Sequence, residues 1–255
     1  RAENASGQLA PGTYQVCFTF MDALHREGGA SASIAVEVTD GGIAISDIPQ
    51  LAGHITLAYV AAKGTVFNFL VATEGQAYTY AGNYPLGREL LTQFLDPPPA
   101  EVGYIAAFKG RLYAAQYLPD ADSTVLWQSE PMGYHLFGLN DSFLMVPGRV
   151  TQLAGSESVL LICTETRTYL FDGESMSDPI EYGAVPGQHA DLGPDKKIYF
   201  WTTRGLCRAA PFENLTDSRL SVAPGVRASG TVIQQHGYTR YVAALQSGGA
   251  AFNKR

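Results

Sequence analysis

The chain has 255 residues, 46% of them hydrophobic and only 16% charged, with a formal net charge of −7 and a pI near 5.2. That length buries a sizeable core, as one large β domain or two smaller ones. The acidic balance argues against a sequence-independent grip on nucleic acid, which needs clustered Lys and Arg, and no apolar run approaches the roughly 20 residues of a membrane span.

The charged share lies below the usual quarter of a globular domain. With 27 Gly, 14 Tyr and 12 Phe, it points to turn-rich sheets whose surface is partly covered by partners. Cys17, Cys163 and Cys207 are far apart, odd in number and set in apolar runs. They read as buried free thiols, with neither a disulfide framework nor a CxxC metal pair. No signal peptide is visible.

In chain order, Arg1–Gln8 is polar and reads as loose. Tyr14, Val16, Phe18 and Phe20 alternate with small or polar residues, so a strand with one buried face follows. Met21–Ser31 is a loop with charges of both signs, and its stretch Asp22–Glu27 reads as a solvated loop or a subunit contact. Ser33–Thr39 is a second alternating strand, Asp40-Gly41-Gly42 a hairpin signal, and Ile43–Ile48 a third strand. His54–Tyr80 holds three more, broken at Lys63-Gly64 and Glu74-Gly75. These either close the first module, form a second, or make a blade. Arg88–Phe94 suits a single helical turn. Three prolines at Pro97–Pro99 then fix φ, remove donors and favour an extended spacer.

Beyond that spacer, Val102–Phe108, a turn at Lys109-Gly110, Arg111–Gln116 and Thr124–Trp127 read as three antiparallel strands. Gly133–Phe137 and Asn140–Met145 follow. Val150–Gly173, His189–Phe212 and Ser229–Leu245 repeat the scheme, and the tail Gln246–Arg255 reads as frayed. Core strands centred on Leu112, Leu160, Ile198 and Tyr241 recur with a spacing on the order of 40 residues, the period of propeller blades. The fold class expected is therefore all-β. An immunoglobulin- or fibronectin III-like module spans 1–95 and a proline linker 96–100. An irregular β-propeller of four to five blades, without WD or kelch signature, spans 101–255.

Three stretches carry a family resemblance: LAPGTYQVCFTFMDALHREGGAS at Leu9–Ser31, FLDPPPAEVGYIAAFKGRLYAA at Phe94–Ala115 and LWQSEPMGYHLF at Leu126–Phe137. IYFWTTRGLCRA at Ile198–Ala209 resembles one more blade hairpin. The order of parts resembles a group of bacteriophage virion proteins, similar to tail-hub, nozzle and packaged-DNA stabilisation proteins. The resemblance implies a structural subunit of the virion, made in the host cytoplasm. Its partners would be copies of itself in a ring, neighbouring tail or portal-side proteins, and DNA in passive transit. A tail ring is built from heterologous contacts.

No reactive constellation is legible. His25, His54, His135, His189 and His236 form no HExxH or H-x-H pair, and phosphate loops, GxGxxG and GxSxG elbows are absent. No cofactor, metal or catalytic residue is expected. The acids Asp120, Asp122, Glu130, Asp172, Glu174, Asp178, Asp191 and Asp195 are candidates for a glycan-cleaving funnel, but most lie beside Gly, Pro or Ser, where turn formation explains them. Trp127, Tyr134, Phe137 and Trp201, with Phe200, are candidate interface or ligand-stacking aromatics. Two other readings stand beside the virion subunit: a glycan-binding or glycan-cleaving propeller, and a scaffold for cellular proteins. The sequons at Asn4 and Asn214 have meaning only in a secreted eukaryotic protein.

Overall fold

A computed structural model describes residues 1–62, 64–187, 191–217, 219 and 222–247. Lys63, His189 and the tail beyond Ser247 lie outside the described residues. The chain is all-β: among the described residues the one helical piece is a 3-10 turn over Pro119–Ala121. It divides into two compact units, Arg1–Pro97 and Pro98–Arg255, with the division inside the proline run.

The first unit holds β1 (Ala2–Ser6), β2 (Gly12–Met21), β3 (Ile34–Val38), β4 (Gly41–Ile45), β5 (Ile55–Ala62), β6 (Asn68–Thr73) and β7 (Tyr78–Tyr80). They form two antiparallel sheets, β1-β4-β7 and β3-β2-β5-β6. Alternation along β2 and β5 decides the packing, because successive side chains point to opposite faces. Val16, Phe18, Ala58 and Val60 meet Ile43, Ile45 and Tyr80 of the other sheet in one core. Cys17, Leu57, Tyr59 and Ala61 point the opposite way, into a second core with Phe67 and Leu90.

Three sequence expectations are corrected here. Arg1–Gln8 is not loose: Ala2–Ser6 pairs with β4 from Ala2↔Ile45 to Ser6↔Gly41. A polar, mostly exposed edge strand shows no apolar alternation, so its composition hid it. Asp40-Gly41-Gly42 is not a hairpin but carries the chain from one sheet to the other. The Asn4 side chain replaces the hairpin bonds: its Oδ1 accepts the Thr39 and Asp40 amides at 2.8 and 3.0 Å. Arg88–Phe94 makes no helical turn. Its backbone is used elsewhere, with the Phe69 amide donating to Arg88 O (2.8 Å) and the Leu90 amide to Phe67 O (2.9 Å).

The second unit holds β8 (Tyr104–Phe108), β9 (Arg111–Leu118), β10 (Ser123–Glu130), β11 (Gly133–Phe137), β12 (Phe143–Pro147), β13 (Val150–Gly155), β14 (Leu160–Thr164) and β15 (Thr168–Phe171). After these come β16 (Asp191–Leu192), β17 (Ile198–Thr202), β18 (Gly205–Ala209), β19 (Glu213–Asn214), β20 (Arg227–Gln235) and β21 (Tyr238–Gln246). They make four successive sheets of five, three, four and two strands. Leu112, Leu160, Ile198 and Tyr241 lie on β9, β14, β17 and β21, one strand in each sheet.

Shared cores join each sheet to the next. Ala106, Phe108, Tyr113 and Leu126 pack on Leu153, Leu160, Ile162 and Phe171. Leu161 and Cys163 pack on Ile198, Phe200 and Cys207, and Val185 and Trp201 on Ala228, Tyr241 and Leu245. The first two sheets meet so closely that a Cβ on Gly155 would lie 2.0 Å from the Ala107 carbonyl, so only glycine fits there. Among the described residues no hydrophobic core joins the last hairpin back to the first sheet.

Candidate interaction face

The first sheet of the second unit has two unlike faces. One, through Ala106, Phe108, Tyr113, Ala115, Leu126 and Val146, is buried against the second sheet. Strand alternation places Ile105, Ala107, Ala114, Val125, Trp127, Phe143 and Met145 on the other. The register sets Ile105 opposite Ala114, Ala114 opposite Trp127, and Trp127 opposite Phe143, one apolar row across four strands. Val125 and Met145 pair in the next row. Ile105 is 60% exposed, Met145 53% and Phe143 39%. Ala114 and Val125 of the same face are buried and Trp127 half-buried, so the exposed apolar surface is Ile105 at one edge and Phe143 with Met145 at the other, joined across Trp127.

Trp127 anchors the patch. Its indole N–H donates to Gln116 Oε1 at 2.9 Å, which fixes the ring plane. The ring packs edge-to-face with Phe143 at 5.4 Å between centroids. An oriented, half-buried Trp beside exposed aliphatics suits an interface centre or a ligand platform.

The other expected aromatics divide. Tyr134, on β11, is exposed, and its hydroxyl donates to Met132 Sδ at 3.4 Å. Phe137 is 2% exposed, so its side chain packs inside. Trp201 is buried between the third sheet and the last hairpin, with its N–H donating to Pro224 O at 3.0 Å. Phe200 is fully buried between the second and third sheets. These last three are packing residues with no surface for a ligand.

The funnel acids are engaged locally. Asp172 accepts the amides of Glu174 and Ser175 and the Ser175 hydroxyl, bonds that hold its carboxyl below the ordinary range. Asp122 accepts the Tyr117 hydroxyl at 2.8 Å, and Asp195 accepts that of Tyr199 at 3.0 Å. Asp191 accepts the Thr231 hydroxyl and the Val232 amide, tying the third sheet to the last hairpin. Asp120, Glu174 and Asp178 are exposed in turns or loops and Glu130 ends β10. Among the described residues no three of His, Cys, Asp and Glu gather as a metal site requires.

Two clefts remain. Turns from three successive sheets, at Lys109-Gly110, Ser156-Glu157 and Leu192 with Lys196, surround a space of about 450 Å³, crossed by a Lys196–Glu157 ion pair of 2.5 Å. A smaller cleft of about 260 Å³ lies between Tyr117, Asp122, Arg149 and Glu165, where Arg149 stacks on Tyr117 at 5.7 Å. Both open on exposed, flexible-stemmed charges, so neither preorganises a ligand.

Sequence reasoning missed Ile105, Phe143 and Met145, because alternation gives two faces but not which one is covered. It also missed Glu27. The carboxylate of Glu27 points inward and accepts the Tyr59 and Thr19 hydroxyls at 2.7 Å each and the Arg88 guanidinium at 2.6 Å. Asp22 and Arg26 pair with each other within the same loop, at 2.7 Å. No family model and no curated protein matches the chain.

Proposed function

We propose that the chain is a non-enzymatic structural subunit of a bacteriophage virion. Its place is the tail, at a hub, nozzle or connector, where copies gather around the tail axis through their β-rich units. The observation that carries this reading is the exposed apolar row Ile105–Trp127–Phe143 with Met145 beside it, a surface that a particle's neighbouring subunit would cover. The phage setting rests on the resemblance of Leu9–Ser31, Phe94–Ala115 and Leu126–Phe137 to virion proteins.

The same proposal extends to the fold. The order β3-β2-β5-β6 facing a three-stranded sheet supports an immunoglobulin- or fibronectin III-like module. So does Tyr14, whose hydroxyl donates back to Ala10 O at 3.1 Å where the chain crosses between sheets, a device such sandwiches use at a corner. Four sheets packed in series support an open run of propeller blades.

The test is mass spectrometry of purified particles from infected cells, together with mass photometry of the isolated chain. Recovery of the chain from particles and concentration-dependent oligomers support the proposal, with Trp127→Ala lowering oligomer yield. A chain absent from particles and monomeric at every concentration overturns it. Saturable sugar binding on a glycan array, lost with Trp127→Ala, would favour the glycan-binding reading instead.

A further inference from the structure

The sheets of the second unit pack in series by one rule. Leu160, Ile162 and Phe171 of the second sheet meet the first sheet, while Leu161 and Cys163, on its opposite face, meet the third. Phe200 and Cys207 of the third sheet meet the second, while Trp201 and Leu206, on its opposite face, meet the last hairpin. Each sheet thus turns one face to the sheet before it and the other to the sheet after it, as strand alternation allows.

The rule leaves two faces over. Ile105, Trp127, Phe143 and Met145 lie on the face of the first sheet that has no sheet before it. At the other end, β20–β21 turns Ala228, Tyr241 and Leu245 toward Trp201. Its register pairs Thr231 with Val242, Ile233 with Arg240 and Gln235 with Tyr238, so these residues share the outer face. There Ile233 is 42% exposed, Val242 50% and Tyr238 68%.

Charge selects what covers each face. The hairpin strands carry no acid, and their two arginines, Arg227 and Arg240, are exposed on the outer face through the pairs with Gln246 and Ile233. The first sheet is opposite in sign: Asp120, Asp122, Glu130 and Asp141 sit in its strands and turns against Lys109 and Arg111. Packing like face on like face sets arginine against arginine, or acid against acid. Packing the hairpin on the first sheet sets arginine against acid.

We propose that the outer face of β20–β21 of one copy covers the exposed face of the first sheet of a second copy, continuing the series of sheets from chain to chain. Ile233 and Val242 supply the aliphatic cover for Trp127, Phe143 and Met145, with the arginines at the rim. The contact is head-to-tail, so copies close a ring or grow as a filament. It rests on the subunit reading for the expectation that copies cover one another, and it adds which surface does the covering.

The experiment uses the full chain in sedimentation velocity at a series of concentrations. Wild type associates beyond the dimer as concentration rises, and added salt weakens the assembly because the joined surfaces are opposite in charge. Met145→Arg spoils the first-sheet face and Val242→Asp the hairpin face, and each alone weakens self-association about tenfold or more. Mixed in equal amounts, the two variants form a one-to-one dimer and nothing larger, because one intact hairpin meets one intact first sheet and the remaining faces are spoiled. A variant that still dimerises by itself overturns the proposal, since the contact is then like on like. A wild type that is monomeric at every concentration also overturns it, while its recovery from particles would leave the subunit reading standing. Val242→Asp lowering the urea midpoint of Trp emission well below wild type overturns it too, since the chain then covers that face itself.

Discussion

The two units handle their sheets in opposite ways. In the first, β5 is buried on both faces: Ala58 and Val60 face the other sheet, while Leu57, Tyr59 and Ala61 lie under Phe67 and Leu90. The covering segments are irregular chain, 22–31 and 85–95, held by backbone bonds such as Ala30 N–H to Thr92 O at 3.2 Å and by the Glu27 carboxylate. In the second unit, sheets cover one another in series, and a series has two ends. Ile105, Phe143 and Met145 are exposed at one end, Ile233, Tyr238 and Val242 at the other. A unit that folds its loops back buries both faces of its central strand, although those loops expose Leu24, Leu91 and Phe94 of their own, whereas a stack of sheets leaves its terminal sheet faces for something else to cover.

The comparison breaks most visibly at the joints of the stack. Phe200 is fully buried between the second and third sheets, edge-on to Phe212 at 6.3 Å. Phe200→Ala is expected to destabilise the second unit by about 3–5 kcal/mol, from lost transfer free energy and the cavity left behind. Urea unfolding followed by Trp emission checks this directly, because both tryptophans belong to the second unit. An unchanged Trp midpoint would mean that the sheets do not depend on one another.

Glu27 is the corresponding point in the first unit. Glu27→Ala leaves the buried Tyr59 hydroxyl and the Thr19 hydroxyl without their acceptor, so a loss of about 2–3 kcal/mol is expected. Burial, then the bond to Glu27, raises the Tyr59 phenol well above its ordinary range, so it remains a donor at every working pH. Glu27→Gln keeps an acceptor oxygen and is expected to lose less. Hydrogen exchange of β5 amides reads both variants. An effect that spread equally to β14 and β17 would mean that the two units unfold together.

How far the sequence reveals this architecture follows from the same contrast. Alternating apolar residues made β2, β3 and β9 legible, and turn chemistry marked Lys109-Gly110. The triple proline reads as a spacer, and the two compact units divide between Pro97 and Pro98. β1 was not legible, because Ala2–Ser6 carries no apolar period and is held by pairing and by Asn4 instead. The crossing at Asp40 was mistaken for a hairpin, because Asp-Gly-Gly chemistry serves any tight reversal and does not name the strand that follows. Trp127 was identified as a surface candidate, but Phe137 and Trp201 were not distinguished from it, since composition gives an aromatic and not its cover. Glu27 gave no local signal, because Thr19, Tyr59 and Arg88 approach it from three separate segments.

The thiols sharpen the comparison without perturbing it. Burial pushes Cys17 and Cys163 up to about 12 and Cys207 to about 11. All three are buried, so none is expected to react with a thiol reagent near pH 8 in the folded chain. In rising urea, Cys17 reports the first unit, and Cys163 with Cys207 the second. Pulsed labelling with peptide mapping then orders the two transitions. Simultaneous labelling of all three at every urea concentration would mean one cooperative block.

The smallest effect belongs to the loop that closes the first unit. The Arg26 amide, then its guanidinium, lower the Asp22 carboxyl to about 2, and the Leu24 amide helps. The folded loop therefore favours the ionised acid. Whatever this adds to stability is fully present above the ordinary carboxylate value of about 3.9 and is lost as pH falls through about 2. The group is solvent-facing, so the effect is local and salt-sensitive. A carboxyl-detected NMR titration should place the Asp22 midpoint near 2, with Arg26→Ala, which removes the guanidinium and keeps the amide, raising it only part of the way toward about 3.9 and leaving β5 exchange unchanged. A midpoint already at the ordinary value in wild type would mean that the loop is not held as described. The segment covering β5 would then rest on Glu27 and on backbone bonds such as Ala30 N–H to Thr92 O.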